Sequence, residues 1–195
     1  MDKPDLSELI LTKTSWMRRL RAYIVPALVL ALFIYKYVLA IPFPLFPVFL
    51  IVVCVFAYNG FFMYFESRNR ALALAGSTAF ATIRVTLDLL FLSFLVHYTG
   101  GMNSPFIYFS LFSIMGYSIV TGNIRSNLLM GLWGVAAYSA VLLLERSQAI
   151  THYPIAVSET AYLSLKVVLM TLLMYFTAVT ILVLMVTYIV SLLEK

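Results

Sequence analysis

The chain has 195 residues, of which 63% are hydrophobic and 11% charged, and its mean hydropathy is +1.00. That composition excludes a soluble globular domain and makes the lipid bilayer the chain's main environment. The formal charge of +5 does not mark a nucleic-acid binder, because the basic residues sit beside apolar runs in the pattern that orients membrane proteins.

Residues 1–15 are polar and partly acidic, and no small-residue cleavage site follows the first apolar run, so the chain opens on no signal peptide. Leu6, Leu9, Ile10, Lys13, Trp16, Met17 and Leu20 recur at helical spacing, with Asp5 and Glu8 as a capping pair. Segment 1–21 therefore reads as a cytoplasmic amphipathic helix in the membrane interface, or as a charged leader that fixes topology. Six apolar runs follow at 22–40, 48–65, 80–98, 106–120, 128–144 and 161–190. Each is continuously apolar, without the short alternation of a barrel strand, so the predicted fold is an all-α integral membrane bundle of six transmembrane helices spanning 22–195.

Five lysines and arginines precede the first run, and Arg68, Arg70 and Arg125 fall in the connections on the same side. By the positive-inside tendency both ends are cytoplasmic, and the connections "IPFPLFP", "TGGMNSP" and 145–160 face outward. Residues 161–195 contain no glycine or proline, and as one helix would measure about 52 Å, so the last run is expected to project into the cytoplasm toward a further output module.

Few residues can carry chemistry inside the spans. Arg84 and Asp88 lie four apart on one face of the third run, where each offsets the other's charge, either as a structural ion pair or as an internal coupling pair. Lys36 and Lys166 lie at outer span ends and need partners, for which Glu145 and Glu159 are the nearby candidates; the other reading is an outer polar vestibule with His97. His97 and His152 are the only histidines, both on the outer side, with no inward-facing pair and no Cys-x-x-Cys-His, so no haem or metal is expected. Cys54 reads as a packed thiol, and Asn59 with Gly60 and Gly131 with Gly134 as candidate close-packing points. No phosphate loop, zinc-protease or nucleophile-elbow motif is present, so the chain reads as no enzyme.

The third connection, "VHYTGGMNSPFIY", is the most distinctive stretch. Gly100 and Gly101 permit positive backbone dihedrals, Asn103 and Ser104 bond locally, and Pro105 starts a helix, which is sufficient for a tight re-entry between spans. "TGGMNSPF", with Arg84, Asp88 and six spans, also resembles the N-terminal membrane sensor of bacterial histidine kinases, particularly the RegB/PrrB redox kinases. Their outward loop carries Gly-Gly-x-x-Asn-Pro-Phe. Gly100, Gly101, Pro105 and Phe106 match; Ser104 stands where that family has asparagine, and the variant with serine is similar to PilS-like sensor kinases.

The resemblance implies a dimeric sensor in the bacterial inner membrane, with ubiquinone or another quinone as ligand at Gly100, Gly101, Asn103, Ser104, Pro105, Phe106 and His97. Arg84, Asp88 and Lys166 would form the intramembrane polar group. A kinase module beyond Lys195 would act on a response regulator. Two other classes remain open: a small transporter or channel lined by Asp88, Arg84 and Lys166, and a membrane anchor without ligand.

Overall fold

A computed structural model of the protein describes residues 23–68, 77–154 and 161–193; the predicted interfacial helix at 1–21 and Glu159 lie outside them. The described residues are all helix and connecting turn, without a strand. The helices are α1 (Tyr23–Val38), α2 (Leu45–Arg68), α3 (Ser77–Tyr98), α4 (Tyr108–Thr121), α5 (Ile124–Arg146) and α6 (Leu165–Leu193). α2, α3, α5 and α6 are long and apolar enough to cross a membrane, and α1 and α4 are shorter apolar helices. This is the architecture of a helical membrane protein.

Local chemistry sets most boundaries. α1 ends in a π-helical turn, Ile34–Val38, closed by the Leu39 amide on the Ile34 carbonyl. α2 tolerates Pro47 in its first turn, where a backbone N–H has no helical partner to lose. Asn123 caps α5 by accepting from the amides of Arg125 and Ser126 at 2.9 and 3.3 Å. α6 starts later than its apolar run: residues 161–163 form a separate 3-10 turn, and the Ser164 carbonyl accepts the first helical bond, from the Val168 amide. Its 29 residues are still about 43 Å long, beyond a hydrocarbon core of roughly 30 Å.

The core lies among α3, α4, α5 and α6, with α2 packed on α3. α6 buries one stripe, Val168, Tyr175, Val179, Val183, Val186 and Val190, spaced by three, four or seven residues. Its other faces carry exposed leucines and methionines, as expected of a lipid-facing surface. α5 approaches closely on two sides. A Cβ on Gly131 would lie 2.8 Å from a Val179 methyl, and one on Gly134 would lie 3.2 Å from Ile114. Gly60 on α2 faces open space and packs closely against none of the described residues.

These contacts separate two glycine substitutions. Gly131→Ala is expected to cost about 1–3 kcal/mol through overpacking against the stiff Val179. Gly60→Ala should leave stability within about 0.5 kcal/mol. Unfolding in mixed micelles followed by circular dichroism measures both.

Candidate functional site

The turn between α3 and α4 is a built structure. The Thr99 amide returns to the Val96 carbonyl, and Gly100 and Gly101 take φ of 122° and 54°. Other L-residues adopt such angles at a cost, which explains the glycine pair. A 3-10 turn, Gly101–Asn103, leads to extended Ser104, and a second 3-10 turn, Pro105–Ile107, runs into α4. Hydroxyls close the loop: the Phe106 amide donates to Ser104 Oγ at 3.4 Å, Ser104 and Thr99 hydroxyls are 2.7 Å apart, and Thr99 donates to the Leu95 carbonyl at 2.6 Å. From α1, Tyr35 donates its hydroxyl to the Thr99 carbonyl at 3.0 Å.

The predicted site residues divide between three faces of this turn. Phe106 points inward, 2% exposed, with its ring edge-on to Tyr35 at 5.3 Å; it is an anchor in the core. Asn103, Ser104 and Pro105 line a groove of about 440 Å³, completed by Tyr108 of α4, Tyr138 of α5, and Thr171, Met174 and Tyr175 of α6. The groove's two inner tyrosines are held in place. Their rings meet edge to face at 5.1 Å, Tyr175 hydroxyl lies 2.7 Å from Ser110 Oγ, and Ser110 donates to the Ile107 carbonyl.

The third face lies under Gly101. His97 Nδ1 is 2.7 Å from Glu145 Oε1, and His152 Nδ1 is 2.8 Å from Glu145 Oε2. The carboxylate has no exposed side-chain surface. Two sequence expectations are corrected here. Glu145, a candidate partner for Lys36 or Lys166, is taken by imidazoles. The histidines, read as having no inward-facing pair, meet on one buried carboxylate. The reason is depth: Glu145 sits on the inner face of the last turn of α5, while Lys36 turns to donate to the Phe43 carbonyl at 3.3 Å and Lys166 is exposed on α6 beside a shallow apolar depression with Leu169 and Leu173.

Arg84 and Asp88 stand apart from the loop, 13 and 9 residues before His97 on α3, or about 20 and 14 Å along the helix. Arg84 pairs with Glu66 of α2 at 2.9 Å, both side chains nearly buried, and its guanidinium lies 4.5 Å from the Phe62 ring centre. Asp88 accepts the Tyr58 hydroxyl, and Tyr58 stacks on Phe91 at 5.6 Å. Asp88, Tyr58 and Phe91 line a small cavity of about 50 Å³ between α1, α2, α3 and α4.

Glu66, Tyr35, Thr99, Tyr138 and Tyr175 were absent from the sequence-based site. Only Glu66 carried a signal, as an acid at the end of an apolar run one short connection away from Arg84. In comparisons with known proteins, no family model matches the chain, and no curated protein or solved structure matches it.

Two outcomes follow. A Cβ on Gly101 would fall 2.1 Å from Glu145 Oε2 on a backbone already at positive φ, so Gly101→Ala is expected to destabilise by about 2 kcal/mol or more. Glu66→Ala removes the acid beside a buried guanidinium and should cost roughly 3 kcal/mol, while adding Arg84→Met restores much of it; a double-mutant cycle in micelles reads the coupling.

Proposed function

We propose that the chain is the six-span membrane sensor domain of a bacterial two-component histidine kinase, taking a quinone-class ligand at the groove beside the turn between α3 and α4. The reading places the protein in the inner membrane as a dimer, with both ends cytoplasmic and this turn outward. α1 and α4 supply the fifth and sixth spans. With its preceding 3-10 turn α4 has 17 residues, about 25 Å, and bilayer thinning or interfacial anchoring accommodates the shortfall.

The observation that carries the reading is the groove itself. At about 440 Å³ it falls in the size range of small-molecule sites. Its polar residues are few: Asn103, Ser104, Thr171 and the three tyrosines, set among Met102, Leu111 and Met174. Thr171 donates to the Val167 carbonyl and Tyr175 to Ser110, so the carbonyls of a flat quinone ring would be met by Asn103 and Tyr108, and a prenyl tail by the apolar wall. The resemblance of "TGGMNSPF" to redox-kinase sensors points to the same ligand class. Ser104, the departure from that pattern, serves here as an acceptor for the Phe106 amide, so the residue supports the turn.

Signalling would run through α6. Tyr175 lines the groove and belongs to the buried stripe that continues to Val190, so a ligand bound more tightly by one arrangement of Tyr175 would bias the position of the whole helix. The kinase and its response regulator are parts of the parent protein's pathway under this reading, and the chain itself performs no catalysis.

Binding of a short-chain ubiquinone by the purified chain in nanodiscs tests the ligand. Ala178→Trp projects a ring into the groove from an exposed position on α6 and should weaken binding at least about tenfold, a loss of about 1.4 kcal/mol. No binding, or equal binding by the variant, overturns the assignment. The kinase is tested on the parent coding sequence: an in-frame phosphotransfer helix after α6 supports it and a stop codon overturns it.

A further inference from the structure

We propose that Arg146 and Lys166 form a binding site for one anionic phospholipid, whose phosphate sits between the two cations and whose acyl chain lies in the apolar depression running along α6 from Lys166. The site needs a membrane environment and depends on neither the quinone nor the kinase reading.

The two cations come from different helices but share one level. α5 and α6 run antiparallel, with Asn127 meeting Thr187, Gly131 meeting Val179 and Tyr138 meeting Tyr175. Arg146 lies eight residues beyond Tyr138, and Lys166 nine before Tyr175. Those steps measure about 12 and 14 Å along the two helices, so both side chains leave the bundle at the same depth. Arg146 closes α5 and Lys166 is the second residue of α6, which places the pair at the end of the bundle that carries the Gly100–Gly101 turn.

Neither cation is answered from within the protein. Glu145, the acid beside Arg146, has its two oxygens on imidazoles, and among the described residues neither the Arg146 nor the Lys166 side chain makes an ion pair or a hydrogen bond. Arg146 is half-buried, and its Nε is shut off from water without an acceptor. Lys166 is exposed on a face otherwise made of leucine and methionine, where an ammonium at a helix end reaches the headgroup layer. The acceptor abundant at that level is the phosphate diester of a lipid. Its oxygens suit the planar fork of Arg146, and its charge suits the compact ammonium of Lys166. A choline headgroup would bring a third cation to the pair, so the charge selects an anionic lipid.

The depression supplies the other half of the site. Leu165, Leu169, Met170 and Leu173 line it beside Lys166, and it shares no residue with the groove at Tyr138 and Tyr175. From Leu165 to Leu173 it runs about 12 Å, close to the roughly 15 Å of one leaflet's hydrocarbon. An acyl chain fills such a track, whereas a free phosphate has nothing to place there.

Native mass spectrometry of the full chain, titrated with phosphatidylglycerol and phosphatidylcholine of matched chains, tests the site. A basic side chain near anionic lipid is worth about fivefold in affinity, so one phosphatidylglycerol per chain should be preferred by roughly thirtyfold. Lys166→Gln and Arg146→Gln should each lose about fivefold, and the double variant should bind both lipids equally. Lys166→Gln changes an exposed position, so it keeps the test open should the arginine variant fail to fold. Lys36→Gln is the control: that ammonium, at the same end of the bundle, already donates to the Phe43 carbonyl, and the preference should be unchanged. Glycerol phosphate, the headgroup without its chains, should not displace the lipid at millimolar concentration. Equal binding of the two lipids by the wild-type chain, a preference kept by the double variant, or an equal loss in Lys36→Gln overturns the site. Displacement by glycerol phosphate overturns the lipid and gives the cations to a soluble anion.

Discussion

In hydrocarbon a polar group has only the chain to satisfy it, and this constraint organises the molecule. Backbone groups are met by helix formation, and the hydroxyls follow: Ser93, Ser118, Thr171, Thr177 and Thr180 each donate to the carbonyl four residues earlier. Longer side chains cannot be satisfied within one helix and so fix neighbours. Arg84 and Glu66 join α3 to α2, the Asn127 amide donates to Thr187 at 2.9 Å and joins α5 to α6, and Tyr175 with Ser110 joins α6 to α4. Without a hydrophobic drive between lipid-facing helices, such polar contacts and the close approach at Gly131 and Gly134 choose which faces meet.

The fold was legible because its dominant signal is local. Six continuous apolar runs read as helices, and the observed helices fall on all six, with ends within a few residues and four of them long enough to cross a membrane. The shortness of α4 was less legible, since Pro105 begins a 3-10 turn as readily as an α-helix. The turn at Gly100 and Gly101 was legible for a similar reason, because adjacent glycines between apolar runs announce a backbone that other residues resist.

Partnership was the part that sequence could not supply. Arg84 and Asp88 are four apart on one helix, which suggests each other, yet Arg84 also has Glu66 within reach across the connection, and Asp88 has Tyr58. Glu145 near two lysines suggests ion pairs, yet its position on the inner face gives it to His97 and His152. Periodicity fixes the face of a helix and says little about rotation or depth, and those two quantities decide which side chain a buried charge meets. Phe106 shows the same limit: it belongs to the motif but anchors against Tyr35, so a motif match does not distinguish a ligand contact from a scaffold contact.

The loop end of the bundle holds a groove and a buried histidine–glutamate cluster that share one turn. The groove reaches α6 through Tyr175, and the histidine cluster reaches Gly101 through Glu145, so both border the same 3-10 turn. On the sensor reading, a ligand in the groove would bias that turn. α6 is suited to carry the result. Its buried stripe is mostly valine, whose branched side chains have little rotamer freedom in a helix, so on that reading a displacement at Tyr175 would pass along the contact with α5 with little local side-chain relaxation. A stripe of flexible methionines would absorb the same displacement within a turn or two.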